Sequence, residues 1–337
     1  MTSNKHRQQR LALKRENRRS PSEKYPLERS PLFELGGPRE LAALMKIPIE
    51  EIRQIATNPE YHSFDEAPKR PGKAARHIQD PRGDTQTLHY RFAKFLNRIE
   101  RPAFLHSATR GRSHISNAEA HKGVHPVVCA DIEKFYENTT RAHVKSFLLR
   151  DLLWPMDLAT MMADALTING HLPTGSAVSP ILSYFTHRRM FAEIEAICVA
   201  AGCTLTLFVD DLTMSGARAS MSLLRQIKKI LLSRELRAKA DKDKSAPTGS
   251  AVVITGAVRH GDRLRIRNEH RKGIVDLLTR YEKGEFTVEA QLASKIAAAR
   301  CVDSAGAVPL KRRYIQLRSA MAFHAGRIEH GPSLRTR

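Results

Sequence analysis

The chain has 337 residues, 41% of them hydrophobic, which excludes a wholly disordered protein and leaves room for two or three packed subdomains. It carries 56 Lys and Arg against 35 Asp and Glu, a formal net charge of +21, so a partner of dense negative charge, most simply nucleic acid, is expected. No apolar run is long enough to span a membrane, the N-terminus lacks the apolar core of a secretory leader, and the four cysteines form no CxxC pair; a cytoplasmic protein without a zinc site or disulfide framework is the expectation.

Residues 1–30, basic and polar with prolines at 21 and 26, read as a mobile arm. From Pro38, "RELAALMKIPIEEIRQIA" sets Leu41, Leu44, Met45, Ile49, Ile52 and Ile55 near helical spacing, with Pro48 opening a second helix. This is either a packed cap or a helical pair for nucleic acid. "PKRPGKAARHIQDPRG", 68–83, is basic and punctuated by Pro and Gly, with a short strand at most. "TLHYRFAKFLNRI" reads as a helix. "HPVVCADIEKFY" holds a buried strand, Val127 to Ile132, that ends in an acid and aromatics. Helical patterns follow at 141–150, 157–166 and 178–200. "TLTLFVDDLTMSG", 204–216, reads as two strands around Asp210-Asp211, and 220–237 as a basic amphipathic helix. Residues 249–268 read as a hairpin turning at His260-Gly261-Asp262, whose second strand alternates Arg263, Arg265 and Arg267 with Leu264 and Ile266, so that one face is basic. Residues 269–337 are helical and basic.

The acids pose the main question. Asp131 ends one strand, and Asp210 and Asp211 sit at the tip of a hairpin. If those strands are neighbours, three carboxylates converge, and such a cluster is destabilised unless cations neutralise it. Hard oxygen ligands suit Mg²⁺, and two such ions on shared carboxylates are the chemistry of polymerases. The competing reading is a plain hairpin turn. A turn, however, favours Asp-Gly or Asn-Gly, and here Val209 and Leu212 flank the pair.

Three segments together resemble the reverse transcriptases. "FVDD" is similar to their YxDD box, with Phe208 in the Tyr position; "ADIEKFY" to their other acidic motif; and "HLPTGSAVSP" to LPQGxxxSP. Two more point to the retron branch: "NAEAH", 117–121, fits NAxxH, and "VITG", 253–256, is similar to VTG. The length also fits, and the resemblance is close over about residues 68–275.

The resemblance implies the following roles. Asp131, Asp210 and Asp211 hold two Mg²⁺ ions, with the backbone carbonyl of Ile132 as a further ligand. Tyr136 is the steric gate beneath the incoming sugar. Gly175 lets the backbone approach nucleotide and template, while Thr174 and Phe208 depart from the family's Gln and Tyr. Lys69 and Arg76 clamp the triphosphate. Arg112 and Ser113 match a template-contacting motif. Lys244, with Lys242 as a rival, acts near phosphates or primer. Asn117, His121, Thr255, Gly256 and the stripe Arg263, Arg265 and Arg267 meet RNA.

The implied fold is α+β, the right-hand polymerase arrangement: a helical N-terminal extension (1–67), interleaved fingers and palm with an antiparallel sheet (68–268), and a helical thumb (269–337). The implied function is RNA-directed DNA synthesis from dNTPs on a dedicated structured noncoding RNA. Priming is from a guanosine 2′-hydroxyl, giving branched RNA–DNA (msDNA) and its cDNA, in anti-phage defence alongside a separate effector protein. The alternatives are another bacterial defence or diversity-generating reverse transcriptase, a catalytically silent RNA-binding scaffold, or a polymerase on a DNA template.

Overall fold

A computed structural model describes residues 24–68, 75–239 and 243–329; the expected basic arm lies outside them up to residue 23. The remainder of that arm is packed rather than mobile. The buried Tyr25 donates its N–H to Arg98 O (3.1 Å) and accepts from Glu100 N at its carbonyl (2.8 Å). Trp154 Nε1 donates to Leu32 O at 2.5 Å. Tyr25, Leu27, Leu32 and Leu35 join the main apolar core, which is what holds so charged a segment down.

Helices α1 (Pro38–Met45) and α2 (Ile49–Thr57) form the cap. Pro38 lies in the first turn of α1 and Pro48 caps α2, positions where a missing N–H costs little. Their apolar stripes, Leu41 and Met45, Ile52 and Ile55, are buried. Strands β1 (Tyr61–Glu66) and β2 (Arg76–Pro81) then form an antiparallel ribbon. No strand is expected at 61–66, because "YHSFDE" lacks apolar alternation; pairing with β2 makes it one although most of it is exposed.

Helix α3 (Gly83–Leu96) buries Leu88, Phe92 and Leu96. The short α4 (His114–Glu119) opens on a capping box between Ser113 and Ser116. After β3 (Val127–Asp131) come α5 (Phe135–Asn138), α6 (Arg141–Arg150), α7 (Met156–Ala165), α8 (Ser179–Thr186) and α9 (Arg188–Ala200). The single helix expected over 178–200 is therefore two. His187 marks the break, with φ −107° and ψ 15°, and its ring turns inward to Thr139 Oγ1 at 3.2 Å.

Strands β4 (Thr204–Phe208) and β5 (Asp211–Ser215), helix α10 (Met221–Ser233) and β6 (Lys244–Ala246) complete a four-stranded sheet of order β4-β5-β3-β6. Helix α9 packs on β4 and α10 on β3. A second sheet holds β7 (Val252–Ile254), β8 (Ala257–His260) and β9 (Arg263–Ile266). The expected hairpin over 249–268 thus has three strands, because the chain also turns at Thr255-Gly256. Helices α11 (Asn268–Glu282), α12 (Glu289–Val302) and α13 (Ser304–Glu329) share a separate apolar cluster.

A smaller cluster of Ala118, Val127, Ala246, Val252, Ile254, Ala257 and Leu264 joins the two sheets. The architecture is a mixed helix-and-sheet fold in which every strand pairing is antiparallel. Among the described residues no helix is long and apolar enough to cross a membrane.

Candidate active site

Strands β4 and β5 are joined by two residues, Val209 and Asp210, with Phe208 paired to Asp211. Two-residue hairpin loops favour Gly or Asn where φ is positive. Here that position is Val209, at φ 61°. A β-branched residue in the left-handed region costs roughly 1–3 kcal/mol and persists only where its surroundings hold it. Two holds are evident. Val209 packs on the main core. The Asp210 carbonyl accepts the Ile132 N–H at 2.8 Å, which ties the turn to the chain leaving β3.

On its other side β5 pairs with β3, in a register that sets Asp131 opposite Asp211. Directly opposed residues have Cβ atoms about 4.5–5.5 Å apart, so Asp131, Asp210 and Asp211 share one corner of the sheet. Like charges this close repel unless a cation joins them. Lys239 supplies one: its ammonium lies 2.7 Å from Asp131 Oδ1, and its N–H donates to the Asp131 carbonyl at 2.8 Å. Asp131 is only 3% exposed.

Sequence reasoning weighed Lys242 and Lys244 and missed Lys239. The signal available was Arg237 and Lys239 alternating after α10, the period of a strand. Glu133 N indeed donates to Arg237 O, and Ile132 forms an antiparallel bridge with Ala238. Among the described residues no three His, Cys, Asp or Glu side chains are already gathered as a metal cluster.

Tyr136 sits half-buried in α5, stacked on Phe135 with ring centroids 6.3 Å apart. Burial first, and then the Asp210 charge, push its hydroxyl well above the ordinary tyrosine value, so the phenol feels the acidic corner. Thr174 and Gly175 face a different neighbour from the one expected. Thr174 Oγ1 donates to His77 O (2.7 Å) and accepts from Gln79 N (3.1 Å), while Gly175 N donates to Gln79 O (3.1 Å). A Cβ on Gly175 would lie 2.8 Å from Gln79 O. The close approach that requires glycine is therefore to β2 of the same chain.

His89 secures the same loop. Its Nε2 must donate to Ala165 O (2.9 Å), so Nδ1 accepts from the Ser176 hydroxyl (2.7 Å), and burial lowers its pKa to about 4. Arg76 opens β2, exposed and opposite Glu66. Lys244 is exposed on β6 opposite Cys129. Lys69 and Lys242 lie outside the described residues.

The residues expected to meet RNA divide into two groups. Asn117 and His121 are buried, which removes them from direct contact. His121 Nδ1 bonds Ser215 Oγ on β5 (2.7 Å) and Nε2 bonds Thr206 Oγ1 on β4 (2.8 Å), a clamp across the base of the acidic hairpin. Burial, then the nearby His106 and Arg259, bring its pKa down to about 3. Asn117 Nδ2 reaches Thr255 Oγ1 at 3.5 Å, and that hydroxyl donates to His114 O at 2.6 Å. The two short motifs are thus in contact.

Thr255 (φ 41°) and Gly256 (φ 91°) form the turn between β7 and β8, the type whose two central residues both need positive φ. A Cβ on Gly256 would meet nothing within 4 Å, so that glycine serves the turn. Arg112 braces a loop instead of pointing outward: its Nη1 donates to the carbonyls of Pro102 (3.0 Å), Ala103 (2.7 Å) and Leu105 (2.7 Å). The arginine stripe does face out. Arg263 and Arg265 are exposed, and the half-buried Arg267 pairs with Glu269 at 2.8 Å.

The chain is similar to reverse transcriptases of retrons. It is 24% identical over 204 residues to the Retron Se72 reverse transcriptase of Salmonella heidelberg (strain 579083-10), covering 56% of this chain and 52% of that protein. It is 24% identical over 263 residues to the Retron Mx162 reverse transcriptase of Myxococcus xanthus, covering 67% of this chain and 54% of that one. The chain spans about half the length of these curated relatives. No family model matches it. These similarities support, at a distance, a protein like the retron reverse transcriptases.

Proposed function

We propose that the chain is an RNA-directed DNA polymerase of the retron type, built as a right-hand fold whose palm is the β4-β5-β3-β6 sheet. The observation that carries this is the register that sets Asp131 opposite Asp211, with Asp210 on the joining turn. The donor set fits Mg²⁺, since all three side chains offer hard carboxylate oxygens and the Ile132 carbonyl lies beside them in sequence. Bound there, two ions would activate an attacking hydroxyl and stabilise the leaving pyrophosphate.

The remaining steps belong to the chain. The Val209 turn and the Ile132–Asp210 hydrogen bond fix the backbone that presents the carboxylates. Tyr136 stands beside Asp210 as the group that excludes a sugar 2′-hydroxyl. Arg76 clamps the triphosphate from the ribbon that Gly175 holds, Lys69, outside the described residues, shares that role, and Lys244 assists on the edge strand. Arg263 and Arg265 bind RNA phosphates.

The substrate class is dNTPs on a structured noncoding RNA, primed from a guanosine 2′-hydroxyl to give branched RNA–DNA, in a cytoplasmic anti-phage system with a separate effector. The test is to express the protein with the transcript encoded beside its gene and to probe for a branched RNA–DNA species. That species should appear and should vanish with Asp210→Asn or Asp211→Asn. If it persists in those variants, the metal site is misassigned. If the protein extends primed RNA but never uses a neighbouring transcript, the polymerase reading stands and the retron reading falls.

A further inference from the structure

The two faces of the acidic sheet differ in chemistry. In the registers of β5 with β4 and β3, Asp211, Thr213 and Ser215 share a face with Thr206, Cys129 and Asp131. The opposite face, with Leu205, Leu207, Leu212 and Met214, is apolar and buried. Thr206 and Ser215 are buried too, and buried hydroxyls need partners. Thr206 pairs with Thr213, and Ser215 with Thr204, so the two hydroxyls lie diagonally across one face. A group lying over both strands can bond both, and His121 does, through Nδ1 to Ser215 and Nε2 to Thr206. A neutral imidazole suits this place, since one nitrogen donates, the other accepts, and each hydroxyl turns to match.

The segment that carries His121 is itself held from the second sheet. Upstream, the Thr255 hydroxyl donates to His114 O at 2.6 Å and lies 3.5 Å from Asn117 Nδ2. Downstream, Gly123 N donates to Gly261 O at 2.9 Å, and the fully buried Arg259 donates to the carbonyls of Gly123 and His125. Gly249 N, on the approach to β7, donates to Val124 O at 2.7 Å. The chain then enters β3 past Pro126, whose carbonyl accepts from Gly216 N at 3.3 Å. Residues 114–126 are thus pinned on both sides of His121 by the β7–β9 sheet and its approach, while His121 reaches the other sheet. A group that fixes another is effective when it is anchored elsewhere.

We infer that residues 114–126 and the Thr255 turn form a brace for the acidic corner, with His121 as its positioning residue. By fixing β4 against β5 at the base of the hairpin, His121 sets how Asp210 and Asp211 stand relative to Asp131. Ser215 lies four residues, about 14 Å, from Asp211, so a tilt of about 4° at the base moves the tip by about 1 Å. A displacement of that size loosens a metal site. The NAEAH and VITG motifs meet because the first carries the brace and the second holds it. The inference rests on the proposal that the corner binds Mg²⁺.

The test titrates Mn²⁺, a paramagnetic substitute for Mg²⁺, into the whole chain without nucleotide or nucleic acid, and reads the unbound ion by electron paramagnetic resonance. His121→Phe keeps a ring and loses both hydrogen bonds. It should weaken Mn²⁺ binding about tenfold, the lower range for groups that support metal ligands. Ser215→Ala, a change small enough to leave the chain folded, should weaken binding in the same direction, and its effect should disappear in the His121→Phe background. His121→Gln, which can still bond a hydroxyl, should recover part of the loss. His89→Phe removes a buried histidine that bonds Ala165 O and Ser176, away from the hairpin. It should lower the unfolding temperature and leave Mn²⁺ binding at the parent's level.

Parent-like Mn²⁺ affinity in folded His121→Phe and in Ser215→Ala overturns the brace; if His121→Phe does not fold, Ser215→Ala decides alone. An equal loss in His89→Phe also overturns it, because the effect is then one of general stability. Asp211→Asn separates this inference from the function it rests on. If that variant binds Mn²⁺ as the parent does, the metal corner fails and the brace falls with it. If it loses the ion while the His121 and Ser215 variants keep it, the brace alone fails.

Discussion

The two sheets solve the same problems in opposite ways. Each has a two-residue turn. In β7–β8 it is Thr255-Gly256, with glycine at the second positive-φ position. In β4–β5 it is Val209-Asp210, with a branched residue where glycine belongs. Each also has an interior cation. Arg259 on β8 is 0% exposed and donates to the carbonyls of Gly123 and His125, groups that never leave. Lys239 is 29% exposed and sits on a carboxylate, a partner that another cation can replace. Both turns hold a β-branched residue at positive φ, Thr255 and Val209, but one sheet's cation is locked on backbone carbonyls while the other's sits on a carboxylate where another cation can take its place, as a site poised to bind does.

The comparison can be broken at several points. Arg259→Met should be the most damaging, lowering stability by about 3 kcal/mol, because two part-buried carbonyls lose the charged donor that a fully buried side chain brings them. Urea unfolding measures this, and Mg²⁺ should not restore it. Lys239→Ala should cost on the order of 2 kcal/mol, less than a fully buried pair because the ammonium is partly wet. In that variant Mg²⁺ should raise the melting temperature more than in the parent; an equal rise in both would show that Lys239 and the ion do not share Asp131.

The turns should respond with opposite signs. Val209→Gly should stabilise by about 1 kcal/mol while slowing DNA synthesis, as relief of strain loosens Asp210. Gly256→Ala should destabilise by about 1 kcal/mol and leave the chemistry alone. Equal signs in chemical denaturation would erase the distinction.

The smallest effect is the pH dependence of the His121 clamp across the acidic hairpin. The folded pKa of His121, about 3, lies below its ordinary value of 6.5. Its stabilisation is therefore complete above about pH 6.5 and is lost as pH falls towards 3. Between pH 7 and 6 this removes about 0.7 kcal/mol. His89 and His187, lowered to about 4 and about 3 by burial, act in the same direction. His121→Gln should flatten one share of the slope in thermal unfolding.

Much of the acidic sheet was legible in the sequence. Val127 to Ile132 and the two runs around Asp210-Asp211 carry the apolar patterns of buried strands, and pattern is set by burial. The segment at Arg237 and Lys239 was not legible, because it meets the sheet only through the Ile132–Ala238 bridge and needs no apolar alternation to do so. The strand at 61–66 hid for the same reason. Thr255-Gly256 read as strand interior because Ile254 and Ala257 continue the apolar run through it. Asn117, His121 and Arg112 were set against RNA by the resemblance of their motifs alone, which carries no information on burial. The burial of Asn117 and His121 depends on Thr206, Ser215 and Thr255, partners about 85 to 140 residues away, and the half-buried Arg112 is turned inward by three loop carbonyls.

The register of β3 also governs when the acidic corner can exist. Asp131 and Asp211 are Cα partners about 80 residues apart in the chain, and β6 closes the sheet only near residue 246. On a ribosome adding about 5–20 residues per second, Asp131 emerges several seconds before its partners. Throughout that interval β3 has neither neighbour, so the nascent chain can assemble the cap and early helices before the three carboxylates meet. The repulsion among them is thus deferred until the chain that supplies Lys239 has also been made.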